Sequence, residues 1–438
     1  MHSGNTPIWL MVACLALVAA GPITPAPPAL ETPEEVDALP GIPFQPGEVI
    51  DMNNLDKIRR YLPTEFWKHR EFFFHEGMKL TIGEFYVDYS PSDARKALTE
   101  KYAGQARIGP DDSLENYTLG RPFREIDFEN DPQAGTKLAW NTDYKHDALE
   151  GKASWHFTYW DEGGEQLPLY YEGTAWGMRL AKRTDRAEYG GRVFKKEKRK
   201  GAGGIEVEAP FDVRGVIGLG YRYLSSDGPR ATSKDEDVWV WIPDLRRVRR
   251  LSAARRMDAI AGTDFTPDDG RGFNGIIPQF TWEYIGEAEV LAPINTQRLG
   301  YPFDKDAAFG TTGISLVDDT WELRKVWILE QTPKQENHPY SRKRLWVDQQ
   351  SHNFLYAVAY SRRGELWKII QTAYRWAGRE DQPDRIEGMR TFVPVCDIVA
   401  NVITGTGNRI EFWDARPTRL KKGKIRKQTD VGRLNQGR

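Results

Sequence analysis

The sequence predicts a mainly β protein of the α+β class, in which helices pack against one large antiparallel sheet. Three observations predict this fold. Helix-favouring stretches are few and mostly precede residue 103, strand-favouring stretches dominate from residue 153 onward, and short turns join several late strands into an antiparallel meander. No internal repeat and no clean boundary interrupts residues 53–413, so we expect these residues to form one domain.

The composition is that of a globular protein with an aromatic-rich core. Of 438 residues, 39% are hydrophobic, 12% are aromatic and 28% are charged, and the formal net charge is -2. This balance gives no overall basic footprint, so we expect no nucleic-acid partner.

The N-terminus has features of an export signal. Residues 8–20 form an apolar run of signal-peptide length that is too short to span a bilayer. Small residues at 18–20 favour cleavage after Ala20, although only His2 could charge the preceding region. Cys14 loosely matches a lipoprotein signal, but the apolar run continues past it, which favours cleavage over lipidation. Cleavage would leave Cys396 alone, so no internal disulfide is expected.

The early part of the chain contains a linker and then the helices. Residues 21–52 are proline-rich and acidic, as in a linker. Cap residues, proline breaks and apolar spacing predict helices at residues 55–62, 65–74 and 93–102.

The strongest strand pattern is a hairpin over residues 236–251. Residues 238–242 are β-branched or aromatic, and a Pro-Asp turn precedes an extended arginine-rich stretch. With an even-numbered loop, Trp239 and Trp241 share one face and the valines share the other. Both faces are then apolar, which predicts a central sheet element covered on each side by protein or by ligand. We expect its arginines to lie at an exposed rim.

Aromatic residues recur along the predicted strands, and the meander strand 353–360 is also apolar on both faces. A curved sheet with helices on its concave side can enclose an apolar cavity for a lipid-like ligand. The alternative is that these side chains simply build the core between sheet and helices. The candidate ligand-binding residues are Trp239, Trp241, Trp282, Tyr284, Trp327, Tyr356 and Tyr360.

No motif for catalysis or metal binding stands out. Residues 270–275 match the glycine pattern of a dinucleotide site. Such a site needs a strand before the glycines and a helix after them, but no strand precedes residue 270 and Pro278 interrupts the position of the helix. We therefore expect a structural loop. The seven histidines are not spaced to share a metal ion along one helix or strand. We therefore expect a non-enzymatic protein with no catalytic residues, metal or cofactor.

The C-terminal segment is strongly basic. Residues 415–438 contain nine lysines or arginines and one aspartate. Such a segment is either a solvated, disordered tail or a contact for anionic lipid headgroups or an acidic partner.

Several blocks of the sequence resemble the bacterial domain-of-unknown-function family thirteen-twenty-nine, which is related to the periplasmic lipoprotein-carrier fold and to outer-membrane lipoprotein-sorting proteins. The resemblance covers about residues 53–413. Its blocks are Y-A-G-Q (102–105), D-D-S-L-E-N-Y (111–117), G-R-P-F (120–123), V-W-V-W-I-P-D-L-R-R-V-R-R-L (238–251), G-F-N-G (272–275), F-T-W-E-Y-I-G (280–286), R-K-R-L-W-V-D (342–348) and R-R-G-E-L-W-K (362–368).

The resemblance implies an open half-barrel with N-terminal helices on its concave side, a periplasmic location and no established enzyme activity. It divides the chain into a signal peptide (1–20), a linker (21–52), the carrier-like domain (53–413) and a basic tail (414–438). The weakly charged signal region and the basic tail depart from the family pattern.

The sequence supports two main hypotheses for the function. The first is a non-catalytic periplasmic carrier or adaptor for a hydrophobic, lipid-like molecule, working with a resistance-nodulation-division type transporter and an outer-membrane partner. The second is an interaction module that docks such a transporter without binding lipid. It would dock through the basic tail and through Arg246, Arg247, Arg249 and Arg250. The basic tail could also touch a membrane surface. An enzyme acting on extracellular glycans or lipids ranks third, and would need carboxylates or histidines clustered inside the cavity.

Overall fold

The computed structural model describes residues 41–145, 150–161, 166–232, 234–252, 256–296, 314, 319–378 and 390–436. The predicted signal peptide, its cleavage site and most of the predicted linker lie outside these residues. Within the described part of the chain, no helix is long and apolar enough to cross a membrane.

Strands dominate the described chain, and fifteen of them form one sheet. The strands are β1 (Val49–Ile50), β2 (Leu80–Phe85), β3 (Arg107–Ile108), β4 (Leu114–Glu115), β5 (Glu150–Trp160), β6 (Gln166–Arg179), β7 (Arg199–Ala209), β8 (Ile217–Tyr223), β9 (Glu236–Ile242), β10 (Arg247–Leu251), β11 (Phe280–Ala292), β12 (Thr320–Pro333), β13 (Tyr340–Asp348), β14 (Phe354–Ser361), β15 (Leu366–Trp376), β16 (Phe392–Asn401) and β17 (Thr406–Thr418). The α-helices are α1 (Thr64–Lys68), α2 (Asp93–Lys101), α3 (Ala134–Asp143) and α4 (Lys422–Gln428).

The large sheet runs from β11 at one edge through β12 to β17 in chain order, and then through β5 to β10. Neighbouring strands along this path are antiparallel, whereas β2 pairs in parallel with the start of β12 and carries β1 beside it. The remaining strands, β3 and β4, form a separate small ribbon.

The sheet curls so that its two ends approach each other. Gln279, which precedes β11, donates its side-chain amide to Asp235, which precedes β9, at 3.3 Å. Asn274 in the segment before β11 accepts a hydrogen bond from Arg222 of β8 through its backbone carbonyl, at 2.8 Å. The result is an open half-barrel, which confirms the predicted fold class.

We call the concave side of the half-barrel its inner face. A row of apolar residues on neighbouring strands marks this face: Leu329, Leu345, Ala357, Ile370 and Val399. α3 and the segment 265–280 pack on this row and fill the space above it with apolar side chains. α2 lies beside the end of α3, because Arg95 donates a hydrogen bond to the backbone carbonyl of Tyr144.

The convex side, the outer face, is covered by the N-terminal segment 42–89. Phe66 of α1 stacks on Phe73 with ring centroids 3.9 Å apart and meets Tyr356 of β14 edge-on at 5.3 Å. The early helices are therefore divided between the two faces, since α1 lies on the outer face and α3 lies on the inner face, with α2 beside its end.

Two helices differ from the sequence prediction. The helix expected at 65–74 ends at Lys68, where His69 leaves the helical conformation. α3 was not predicted because eight of its ten residues are buried, so its sequence lacks the alternation of a one-sided helix. Gly135 permits this burial: a Cβ atom there would lie 2.5 Å from the backbone carbonyl of Trp282 in β11.

The predicted hairpin forms, but it is not central. β9 and β10 pair with Trp239 opposite Arg250 and Trp241 opposite Val248, which confirms the predicted faces. The prediction of a central element is wrong, because β10 is the last strand at one edge of the sheet. β-Branched and aromatic residues suit a pleated surface at an edge as well as at the centre, so the pattern alone could not distinguish the two.

The basic C-terminal segment is folded in the structure. β17 continues to Thr418, and the buried Ile425 anchors α4 against β6 and β8 side chains. The hydroxyl of Tyr221 donates a hydrogen bond to the backbone carbonyl of Thr429. The lysines of α4 point to solvent, so the segment presents positive charge from a docked helix.

The glycine-rich loop is a structural loop within the described chain. Residues Pro267–Gly272 form a 3₁₀ turn that starts with a capping box between Thr266 and Asp269. A second 3₁₀ turn, Ile277–Gln279, comes after it, where a dinucleotide site would require a helix.

Candidate functional site

The structure distributes the seven predicted ligand-binding aromatic residues over both faces of the sheet. Trp282, Tyr284 and Trp327 lie on the inner face. Tyr356 and Tyr360 lie on the outer face, under the N-terminal segment. Their common role as a ligand-binding set stays a prediction, but they do not line one shared space.

The inner-face aromatic residues pack against protein. Trp282 is buried, donates its indole N–H to the carbonyl of Ile277 at 3.1 Å and contacts Phe273 edge-on at 5.0 Å. Tyr284 and Trp327 both contact the ring of Phe128, at 4.3 and 5.3 Å. These contacts close the space between β11, β12 and the segment before α3.

The outer-face tyrosines form hydrogen bonds to β11 and to the N-terminal segment. The hydroxyl of Tyr356 donates to the carbonyl of Leu291 at 2.5 Å. The hydroxyl of Tyr360 donates to Glu65 of α1 at 2.7 Å, and the guanidinium of Arg342 lies 3.9 Å from the centre of its ring. Both side chains therefore have a structural role on the outer face.

The edge hairpin is half-exposed. Trp239 contacts Tyr221 edge-on at 4.8 Å, and Trp241 is partly buried. The predicted partner-binding residues of this hairpin are all exposed, and they are Arg246, Arg247, Arg249 and Arg250. Asp237 forms an ion pair with the last of them. Binding of a partner by these arginines stays a prediction.

A cleft opens at one end of the half-barrel, where the start of α2 meets the β13–β14 turn. The space between these elements is small and partly open to solvent. The end of β15 and the start of β16 complete its walls. The lining residues are Tyr89, Pro91, Arg95, Arg121, Lys145, Gln350, Ser351, His352, Trp376, Arg390, Thr391 and Phe392. We call this space the end cleft.

One wall of the end cleft is aromatic. Tyr89, Trp376 and Phe392 form a triangle with ring centroids 4.8 to 5.2 Å apart. The hydroxyl of Tyr89 donates to Glu322 at 2.7 Å, which fixes the ring. Burial raises the pKa of Glu322 to about 7. These three residues are largely buried, and the edges of their rings form the apolar side of the cleft.

The other side of the end cleft is cationic. Arg95, Arg121, Lys145 and Arg390 line it, and no aspartate or glutamate is among the described residues that do so. The ammonium of Lys145 lies 4.8 Å from the centre of the Phe354 ring. Three arginines and one lysine therefore line one small space.

Burial and mutual repulsion perturb these groups. Burial, with the neighbouring Arg271, lowers the pKa of Lys145 to about 7. Burial, with the neighbouring Arg95, lowers the pKa of Arg121 to about 10. Burial, with the nearby Arg121, holds the pKa of His352 well below its usual value. The site is thus electropositive and partly shielded from the solvent that would screen its charge.

Sequence reasoning missed the end cleft because its residues come from distant parts of the chain. The available indication was the G-R-P-F block of the family resemblance, which contains Arg121. Gly120 precedes it with φ of +86°, so the backbone turns there in a way that places Arg121 beside α2.

The described residues contain no group of three or more His, Cys, Asp or Glu side chains that could hold a metal ion. Carboxylates do occur among the described residues behind the walls of the end cleft. Asp348, for example, accepts a hydrogen bond from Arg324 at 2.8 Å.

Comparison with known proteins identifies relatives of unestablished function. The family model described as "Protein of unknown function (DUF1329)" matches residues 49–422. The uncharacterized protein PA3922 of Pseudomonas aeruginosa is 23% identical over 287 residues, which cover 64% of this chain and 59% of that protein. The chain thus matches less than two thirds of that relative.

The solved structures that the chain matches include two bacterial proteins. A DUF1329 family protein from Desulfovibrio piger is 18% identical and has a TM-score of 0.44, with 68% of this chain and 96% of that chain covered. The LolA superfamily protein NE2245 from Nitrosomonas europaea is 14% identical and has a TM-score of 0.34, with coverage of 64% and 93%.

Proposed function

Because the chain belongs to the DUF1329 family of proteins of unknown function, we propose its role from its own geometry: it is a non-catalytic carrier or adaptor that binds a lipid-like molecule in the periplasm. The observation that supports this proposal is the end cleft, where an aromatic wall faces a polar wall between sheet and helices. An amphiphilic molecule has the same division into an apolar and a polar part.

The ligand binds in the end cleft rather than between α3 and the sheet. Apolar side chains fill the interface between α3 and the inner face, and Leu138 and Trp140 of α3 are fully buried there. The apolar part of the ligand packs on Trp376 and Phe392 at the mouth. This position differs from the aromatic set expected from the sequence.

Extraction tests the proposal. Protein purified from its own host is denatured, extracted with organic solvent and examined by mass spectrometry. We expect an amphiphile in the wild-type extract and much less of it in a Trp376→Ala variant. Phe211→Ala is the control, because Phe211 is 86% exposed, lies between β7 and β8 and does not line the end cleft. An extract without any amphiphile, from protein that melts cooperatively, would count against a carrier.

A second function rests on exposed charge. The arginines of the edge hairpin and the lysines of α4 are exposed, which suits an interaction module that docks a resistance-nodulation-division type transporter or an outer-membrane protein. Deleting the basic segment would remove the buried Ile425, so charge reversal is the cleaner test. Replacing Lys422, Lys424 and Lys427 by glutamate should abolish recovery of a co-purifying membrane protein if this function is correct.

A further inference from the structure

The buried cations of this protein are paired with carboxylates in most places. The ion pair of Arg183 with Glu150 has an N–O distance of 2.7 Å, and both side chains are 1% exposed. Arg324 with Asp348 and Lys343 with Asp269 are buried pairs at 2.8 and 2.7 Å. Pairing is the expected arrangement, because a charge removed from water without a partner is costly.

The end cleft departs from this arrangement. Within the described residues, neither Arg121 nor Lys145 forms an ion pair with a carboxylate, and both residues are partly buried in the walls of the cleft. Two cations that line one cleft and that no described carboxylate pairs are an arrangement that suits an anionic ligand.

Two further arginines are oriented by backbone carbonyls. Arg95 donates a hydrogen bond to the backbone carbonyl of Tyr144. Arg390 donates to the carbonyls of Ser90 and Asp88, at 2.6 and 3.0 Å, and its guanidinium lies 5.1 Å from the ring centre of Trp376. These hydrogen bonds hold both guanidinium groups in fixed orientations in the walls of the cleft.

We propose that the end cleft binds an anionic group, a phosphate monoester or a carboxylate, through Arg121 and Lys145, with the attached apolar chain on the Tyr89, Trp376 and Phe392 wall. The ligand is then an anionic amphiphile. This inference rests on the proposed function for the apolar chain, whereas the anion site itself depends only on the cations of the cleft.

Equilibrium binding to the delipidated full chain tests the proposal with four probes: monododecyl phosphate, dodecanoate, uncharged dodecanol and inorganic phosphate. We expect both anionic amphiphiles to bind more tightly than dodecanol. An Arg121→Gln/Lys145→Gln double variant should bind monododecyl phosphate about tenfold more weakly or worse, because it loses two charge-assisted contacts. Lys101→Gln is the matched control, since Lys101 is an exposed cation at the end of α2.

Thermal melting without ligand provides a second measurement. If Lys145 binds a ligand and does not stabilise the fold, Lys145→Gln removes its repulsion with the neighbouring arginines. The melting temperature of the variant is then unchanged or higher. A marked drop in the melting temperature would show that the cation is structural and would overturn the proposal.

The outcomes separate this inference from the proposed function. Equal binding of dodecanol and monododecyl phosphate, unaffected by the double variant, would overturn the anion site and leave the carrier standing. Inorganic phosphate bound as tightly as monododecyl phosphate would support the anion site and count against the carrier. Failure of all four probes to bind would overturn both.

Discussion

Asp269 is the centre of a buried polar cluster that fastens the glycine-rich loop to the inner face. Its carboxylate accepts hydrogen bonds from the ammonium of Lys343 at 2.7 Å and from the hydroxyls of Tyr340 and Thr266 at 2.7 and 2.9 Å. The ammonium of Lys368 lies 3.3 Å away. Lys343 and Lys368 hold the pKa of Asp269 well below its usual value against the opposing effect of burial.

Replacing Asp269 by Asn preserves the size of the side chain and removes its charge. Two lysine side chains that are 1% and 2% exposed would then remain buried without their shared counterion. Removing one partner of a buried ion pair typically costs about 3–5 kcal/mol. Folded domains are commonly stable by only about 5–15 kcal/mol, so the variant should be severely destabilised.

Urea unfolding at pH 7, followed by circular dichroism and by tryptophan fluorescence, measures this loss. Asp258→Asn is the matched control, because it removes a carboxylate from an exposed position in the segment leading to the same loop. A free energy of unfolding for Asp269→Asn within about 1 kcal/mol of the control would refute the assigned role of the carboxylate.

Two further substitutions probe other parts of the fold. The ring Nδ1 of His338 accepts the backbone N–H of Tyr340 at 3.0 Å, and burial lowers the histidine pKa to about 4. The wild type should therefore lose stability as the pH falls from 6.5 towards 4. In urea unfolding, the free energy of unfolding of His338→Asn, which keeps an acceptor that does not titrate, should fall by about 3 kcal/mol less over that range. Equal losses in the two proteins would contradict this. Gly120→Ala should lower the melting temperature far more than Gly104→Ala. Both glycines have positive φ, but only at Gly120 would a Cβ atom lie 2.6 Å from the backbone of Thr99. Similar melting temperatures for the two variants would show that this close approach is unimportant.

The sequence predicted the parts of the fold that depend on local patterns. The faces of Trp239 and Trp241 were correct because side chains alternate along a strand whatever lies beside it. The position of the hairpin at an edge was not predictable, since it depends on the pairing of β17 with β5, two strands that are far apart in the sequence. Strand order depends on contacts between distant parts of the chain, which the alternation of side chains along one strand does not predict.

The same limit applies to the candidate site. The aromatic set was chosen because its members lie on strands, yet Trp282 and Tyr356 are on opposite faces of the curved sheet. The cations of the end cleft come from α2, from two connecting segments and from the residues just before β16, so no spacing in the sequence links them. Arg121 and Lys145 become recognisable as a site only in the folded chain, where they share a cavity that no described carboxylate lines.

A crystal structure of the full chain with monododecyl phosphate tests the central claim most directly. We predict the phosphate in the end cleft, with oxygens about 3 Å from the side-chain nitrogens of Arg121 and Lys145, and the alkyl chain against Trp376. A ligand lodged instead between α3 and the inner face, beside Trp282 and Trp327, would contradict the assignment of the site. An unoccupied end cleft in crystals grown at saturating monododecyl phosphate would contradict it as well.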